Sequence, residues 1–498
     1  MRRFIIISLC LAAAVCAGAQ RKVVLDLGRT IDIACDSSLQ AFRNQNMYMS
    51  GYWEYRSFRA DRLPSLTLNL TPASYNRYIT QRYNSEENID IYRAQQMYSA
   101  SGGLLVKQNF DPLGGTFYLE SNLNYLHNFG NSDSEQFTPN QFSTVPIRIG
   151  YQQSLLGFNQ FRWDKRIEPI KYEKVKKEFL YNMEGVSETA VTYFFALALA
   201  QAEYKLAQDN LASSDTLCVI GERRFKIAAI SQDELLTLRL ERVNAQNTLE
   251  NSRIALKRAM FSLATYLGME KDTEIEVKLP GIPTARNISA DLALIHAKEN
   301  NPSLLEHKQK ILEAQRDVNR TKVEQRVSVN LNASVGYNQV ADKFSQAYTD
   351  LMRQDLVSLT LSVPLVDWGV RKGRLNMAKN NLNIVEIAAK QEEVSIEEDV
   401  IMTVSDFNIQ QRLVESATEA LDLADMAYAK TRQRFIIGNA DLNTLTLAQN
   451  RQQTAHKNYI NSLQNYWLSY YKLRKLTLFD FDSNMPLSSK FEISNSIH

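Results

Sequence analysis

Histidine, cysteine and proline are scarce in this 498-residue sequence, at 5, 4 and 11 residues. The histidines do not group. His296 and His307 stand 11 positions apart, and His127, His456 and His498 are isolated, so none shows metal-ligand spacing. Cys-x-x-Cys, Gly-x-Ser-x-Gly and a phosphate-cradling glycine loop are also missing. These absences argue against an enzyme and leave no cofactor or metal to expect. Outside the N-terminal segment only Cys35 and Cys218 remain, too few for a disulfide framework. Charge of one sign is lacking too. A net charge of +2 calls for neither nucleic acid nor an acidic partner. Beyond the N-terminus no uncharged apolar run reaches the ~18 residues of a membrane helix. Any membrane crossing therefore falls to β-strands.

What is present begins with an export signal. Arg2 and Arg3 precede an apolar run from Phe4 to Val15, and Ala17-Gly18-Ala19 supplies a cleavage pattern. Cleavage after Ala19 is expected, giving a signal peptide over 1–19. Val15 is not the small residue a lipoprotein needs before Cys16, and lipidation of Cys16 stays open.

Proline spacing sets the organisation. None occurs from Ile170 to Leu279 or from Leu365 to Met485. A helix-interior proline costs roughly 3 kcal/mol, so both runs permit long helices. In the second, Leu375, Ala378, Leu382, Val385, Ala389, Ile396, Val400, Phe407, Val414, Leu421, Ala424 and Tyr428 keep steps of 3, 4 or 7. A helix from Arg371 to Arg434 would be roughly 95 Å long, the length of a coiled-coil rod. Each run is interrupted once. Arg224 to Ser231 and Arg434 to Asp441 read as turns, with Gly438 suited to a left-handed C-cap and Ser231 or Asp441 to an N-cap. Two helical hairpins result, over 166–268 and 371–476.

Phe225 and Phe435 are 210 positions apart, as are Phe158 and Trp368. Upstream, Leu66 to Leu70 resembles Ser328 to Asn332 at an offset of 262, so the first copy carries about 52 extra residues between its strands. The unit is helix, strand, loop, strand, long helix, turn, helix. It occurs twice, over 20–280 and 281–480, before a tail over 481–498. Preliminary helices are expected near Leu27 to Arg62 and Leu292 to Glu324.

The expected strands, near 64–75, 145–155, 327–338 and 356–365, alternate apolar with small polar residues. Val329, Leu331, Ala333, Val335 and Tyr337 interleave with Ser328, Asn330, Asn332, Ser334 and Gly336. That pattern fits a transmembrane β-strand and also one face of a soluble sandwich. Serine-, asparagine- and threonine-rich polar faces, and the long helices between strands, favour the membrane. Four strands cannot close a barrel, so several chains must pool theirs. Tyr151, Phe158, Phe161, Trp163 and Trp368 lie just past strand ends, where an interfacial belt would sit. The segment with Phe117, Leu119, Leu123 and Tyr125 reads as an extra strand, paired with Gly103 to Gln108. A longer extracellular hairpin is the preferred reading, and added barrel strands the alternative.

The duplicated plan, the Pro364-Leu365-Val366-Asp367-Trp368-Gly369 lead-in to a long helix and the Arg434-Phe435-x-x-Gly438 turn resemble the TolC family of outer membrane efflux proteins. The resemblance covers nearly the whole chain. It implies a homotrimer with a twelve-stranded barrel, four strands per chain, and a long α-helical periplasmic tunnel. It also implies work with a periplasmic adaptor and an inner-membrane pump in the outer membrane lipid, as a passive conduit for drugs or small molecules. The same resemblance places adaptor contacts at the helical turns, at Arg224, Ser231 and Arg434, and a gate beside both turns, with Phe225 at the first. The family's gate tyrosine falls on Phe435, its acidic partner on Glu234 beside Asp233, and its gate arginine on Ala440. Two constriction aspartates fall on Thr444 and Leu447, which departs from a cation-binding ring. Charge near the tip then rests on Asp441 and Asp233, for which helix capping is the preferred role. Apolar packing of Phe435, Ile436 and Leu447 is expected to hold the closed tip. Two rivals stay open: the duct of a type I protein secretion system, and a secreted coiled-coil surface protein.

Overall fold

The computed structural model describes residues 22–84, 88–129, 139–283 and 286–489. The expected signal peptide and Cys16 lie outside the described residues. Two units are distinguished: residues 1–50, 174–304 and 391–498 make the first, residues 51–173 and 305–390 the second. Among the described residues no helix is long and apolar enough to cross a membrane.

The elements run β1 Lys22–Leu25, α1 Leu27–Ser37, α2 Leu39–Ala60, β2 Ser65–Asn84, β3 Ile89–Phe110, β4 Gly115–Asn128, β5 Asn140–Ser154, α3 Gln160–Lys226 and α4 Gln232–Tyr266. They continue as β6 Glu274–Val277, α5 Ala290–Asn300, α6 Pro302–Glu324, β7 Ser328–Ala341, β8 Met352–Ser362, α7 Val370–Ile436, α8 Leu442–Thr477, β9 Phe479–Asp480 and β10 Met485–Pro486. Each expected preliminary helix is a pair, of 11 and 22 residues in the first repeat and 11 and 23 in the second. Both long helices have 67 residues, or ~100 Å at the α-helical rise. The first begins at Gln160, ahead of Pro169, which stands inside it. One missing i→i−4 bond does not end a helix whose neighbouring turns are intact and whose Ile167 is buried.

The first unit is a helical core. Ile396, Val400, Val404, Phe407 and Val414 are buried along α7, the inward stripe of the near-heptad seam. They meet Phe194, Phe195 and Leu197 of α3, Leu263 of α4 and Leu463, Tyr466 and Tyr470 of α8 in one cluster. A parallel pair, β1 with β6, closes over it through Leu25 and Ile275. Four-residue strands are too short to betray themselves by alternation, and this pair was not foreseen. Arg474 of α8 reaches Glu184 of α3 at 2.9 Å, both largely buried. Neither Cys35 nor Cys218 is in a disulfide.

The second unit is built on one antiparallel sheet in the order β2-β3-β4-β5-β7-β8. Six strands replace the four expected. The first repeat's extra residues enter the sheet as β3 and β4, between β2 and β5, in place of a hairpin lying wholly past its end. They fit because their pairings are continuous: Phe110 opposite Gly115 through Met97 opposite Asn128, and Ser65 opposite Lys107 through Asn84 opposite Ile89. Among the described residues the β2–β3 ribbon beyond Asn76 and Met97 projects past the last β4 pair. The second repeat contributes β7 and β8, which a coiled-coil stalk would lack.

Candidate functional site at the two helical turns

The turns of the two hairpins are built alike. Ala228 and Gly438 adopt left-handed backbone, at φ 55° and 88°. The next amide in each, Ala229 and Asn439, donates at 2.8 Å to the carbonyl of Arg224 or Arg434. This is the Schellman closure, which satisfies carbonyls the helix end leaves free. The following helices are capped as their sequences suggest. Ser231 and Glu234 form a capping box, with the Glu234 carboxylate accepting from the Ser231 amide at 2.9 Å. Asp441 accepts from the Thr444 amide at 2.6 Å, and that bond holds its carboxyl below the usual carboxylate range. Asp233 lies in the first turn of α4, where its charge complements the helix dipole.

Between the hairpins sits a small apolar cluster. Phe435 is 7 % exposed and packs with Leu217, Leu238 and Leu445, flanked by Ile230, Tyr428, Ala440 and Leu442. Phe225, its counterpart, is 41 % exposed. Ile436 and Leu447 lie outside this cluster, 40 % and 50 % exposed in the single chain. Leu445 supplies the inward side chain, because it lies one helical turn after Asp441 on the face turned to Phe435. Leu217, Leu238 and Leu445 were missed by sequence reasoning. One signal pointed there: Gly221 interrupts a helical run, and a Cβ at that position would come within 2.5 Å of Leu238.

Arg224 bridges the hairpins. Its guanidinium donates to the carbonyls of Phe435 at 3.3 Å and Ile436 at 2.9 Å, 5.9 Å above the Phe435 ring. Arg434 instead donates to Asn439 of its own turn at 3.1 Å. Glu234, spent on its cap, makes no bond to Phe435, which has no hydroxyl to offer. Thr444 and Leu447 line a groove of about 320 Å³ with Thr431 and Arg451, a lining that holds no acidic side chain. Among the described residues no cluster of three metal-ligating side chains occurs.

The aromatics past the strand ends lie in the second unit. Tyr151 packs on Phe117 with centroids 4.5 Å apart and donates to Gln153 at 2.8 Å. Phe158 lies 4.9 Å under Arg320, and Trp163 is half-buried with Arg166 5.8 Å from its ring. Trp368 is 95 % exposed at φ 53°. It follows Asp367, whose carboxyl is drawn down to about 2 by hydrogen bonds from Arg371. Arg371 also binds the carbonyls of Gln325 and Pro364, at 3.2 and 3.3 Å.

Residues 294–477 match the family model described as "Outer membrane efflux protein". That match spans α6, β7, β8, α7 and α8 of the second repeat. Solved structures share its fold. The outer-membrane channel OprN matches with a TM-score of 0.65 and 15% identity, over 91% of this chain and 89% of that one. The CmeC outer membrane channel of Campylobacter jejuni matches at 0.64 and 13%, over 91% and 85%. The outer membrane protein VceC of Vibrio cholerae matches at 0.63 and 13%, over 91% and 95%. No curated protein sequence matches the chain. Over its second repeat the chain is similar to outer membrane efflux proteins, and over 91% of its length it has the fold of outer-membrane channels.

Proposed function

We propose that three copies of this chain close a common barrel and serve as the passive outer-membrane conduit of a tripartite efflux system for small molecules. A periplasmic adaptor docks at the helical turns, and an inner-membrane pump supplies the energy. The observation that carries this reading is the sheet's two open edges. Among the described residues β2 and β8 pair on one side only, while Leu66, Leu68, Val357, Leu359 and Leu361 expose apolar side chains beside them. In lipid, unpaired N–H and C=O groups cost several kcal/mol each, so the edges must find each other in neighbouring copies. Polar pairs such as Asn330 opposite Thr360 and Asn332 opposite Ser358 occupy the other face, as a wet lumen requires.

The gate follows from the turns. Opening parts the ends of α3 and α7, which Arg224 links by its two bonds to Phe435 and Ile436, with the cluster beneath. The tip is therefore held by apolar packing and one cation on two carbonyls, not by a tyrosine–acid bond. Arg224→Ala, recorded as single channels in planar bilayers, should raise the conductance of the closed state. Conductance equal to that of the parent protein would remove Arg224 and the tip cluster from the gate. Ser231 and Arg434 are exposed at the turns where the adaptor docks, and Arg434→Glu should weaken adaptor capture without changing conductance.

A further inference from the structure

The hairpin of β3 and β4 is the largest feature that four strands per chain leave unexplained. Its base is not at a free end of the sheet. Asp111 to Gly114, which joins the two strands, is pinned between the start of β2 and the end of β5. Arg62 pairs with Asp111, and Gln108 donates to the Arg62 carbonyl at 2.8 Å. Asn159 donates to the Asp111 carbonyl at 2.9 Å, and Gln153 to that of Leu113 at 2.9 Å. The turn thus lies where α2 ends and α3 begins, and the strands run from there along their neighbours for 14 pairs. Fourteen residues exceed the 9–11 that a transmembrane strand needs.

Both faces of the hairpin continue the faces of the sheet. Leu66, Val106, Leu119, Ile149 and Val335 stand opposite one another from β2 through β7. Phe117, Tyr151, Ala333 and Val357 make the next row, from β4 through β8. On the other face, Thr67, Leu105, Glu120, Arg148, Gly336 and Gln354 share a row, and Glu120 of β4 is salt-bridged to Arg148 of β5. Tyr118 of β4 lies over Gly150, where a Cβ would come within 2.2 Å of its ring. From β2 through β7 the first row is apolar, and the pair of Glu120 and Arg148 lies on the other side. Gln108 of β3 opposite Phe117, Asp355 of β8 opposite Val335, and Leu105 on the polar row are the exceptions in these rows. An ornament in water has no reason to keep that division in register with a membrane wall.

We propose that β3 and β4 are wall strands of the membrane barrel, so that three copies close eighteen strands with six from each. This rests on the membrane-barrel reading above. Diameter grows nearly linearly with strand number, so the lumen is about 1.5 times as wide as twelve strands would make it, in the range that leaves an aqueous channel. The second copy that covers each edge pairs its β8 with the neighbour's β2, head to tail.

Spin labels in bilayers test it, on the full chain with Cys35 and Cys218 replaced by serine. Labels at Leu104→Cys and Leu119→Cys should be relaxed by oxygen in preference to a water-soluble nickel complex. Labels at Ser101→Cys and Lys107→Cys should show the inverted ratio. Leu359→Cys and Leu361→Cys in β8 are the controls. Nickel-accessible labels at 104 and 119, with oxygen-accessible labels at 359 and 361, would put the hairpin outside the bilayer and overturn the proposal alone. Nickel access at 359 and 361 as well would overturn the membrane reading beneath it. Electron cryomicroscopy of the unmodified protein gives a second measure. Eighteen strands in the wall support the proposal, and twelve refute it.

Discussion

The two repeats share a backbone and differ in what they do with it. Their turns correspond at an offset of 210, each closed by the same Schellman bond at 2.8 Å. Yet the second buries Phe435 where the first exposes Phe225. The first contributes four strands to the sheet, and the second contributes two. At the far ends of the hairpins, Arg474 is salt-bridged to Glu184, while the position 210 earlier is the buried Ala264. Duplication preserved the bonds that close helices and spared the side chains for new work. What each copy now carries is decided by packing, and packing can be changed one residue at a time.

The largest break in the comparison should come at Arg474. Replacing it with alanine, as at 264, removes the guanidinium from buried Glu184 and should cost roughly 3–5 kcal/mol. A sharp drop in the temperature at which the oligomer dissociates in detergent would report it. Next is the pair of phenylalanines. Phe435→Ala should destabilise the tip by about 3 kcal/mol, against less than ~0.5 kcal/mol for exposed Phe225→Ala. Hydrogen exchange at the amides of both turns separates them, and equal effects would erase the asymmetry claimed for the gate. Smaller still is the exchange of turn residues. Ala228→Gly should stabilise its turn by about 1 kcal/mol and Gly438→Ala should destabilise its own by a similar amount, because only glycine enters left-handed backbone freely.

The smallest difference is chemical. Cys35 of α1 aligns with Lys298 of α5, which is exposed and paired with Glu393 and Glu397. Burial pushes the Cys35 thiol up to about 11. The thiolate is the reactive form, so at pH 8 only about one thiol in a thousand is ionised. Alkylation of Cys35 should rise about tenfold per pH unit up to that value. Rapid labelling at pH 8 would show that the thiol is not buried.

Much of this was legible in the residues. Long proline-free runs gave the helices, and Gly438, Ser231 and Asp441 marked the turns through backbone needs that few residues meet. Alternation gave β5, β7 and β8. The insertion was harder. Gln95-Gln96 and Gly102-Gly103 break the alternation of β3, and which strands pair is set by long-range register that local periodicity does not carry. Phe435 was found through the repeat. Its partners Leu217, Leu238 and Leu445 were not, because an inward leucine near a helix end looks like any other until the facing helix is in place.

The central claim is that one chain supplies too few strands to seal a cylinder, so copies of it must complete the wall together. Its most direct test is the mass of the purified protein in detergent, measured before and after heating. Three chains that separate only on boiling are predicted. A single chain that stays in solution without detergent would contradict it.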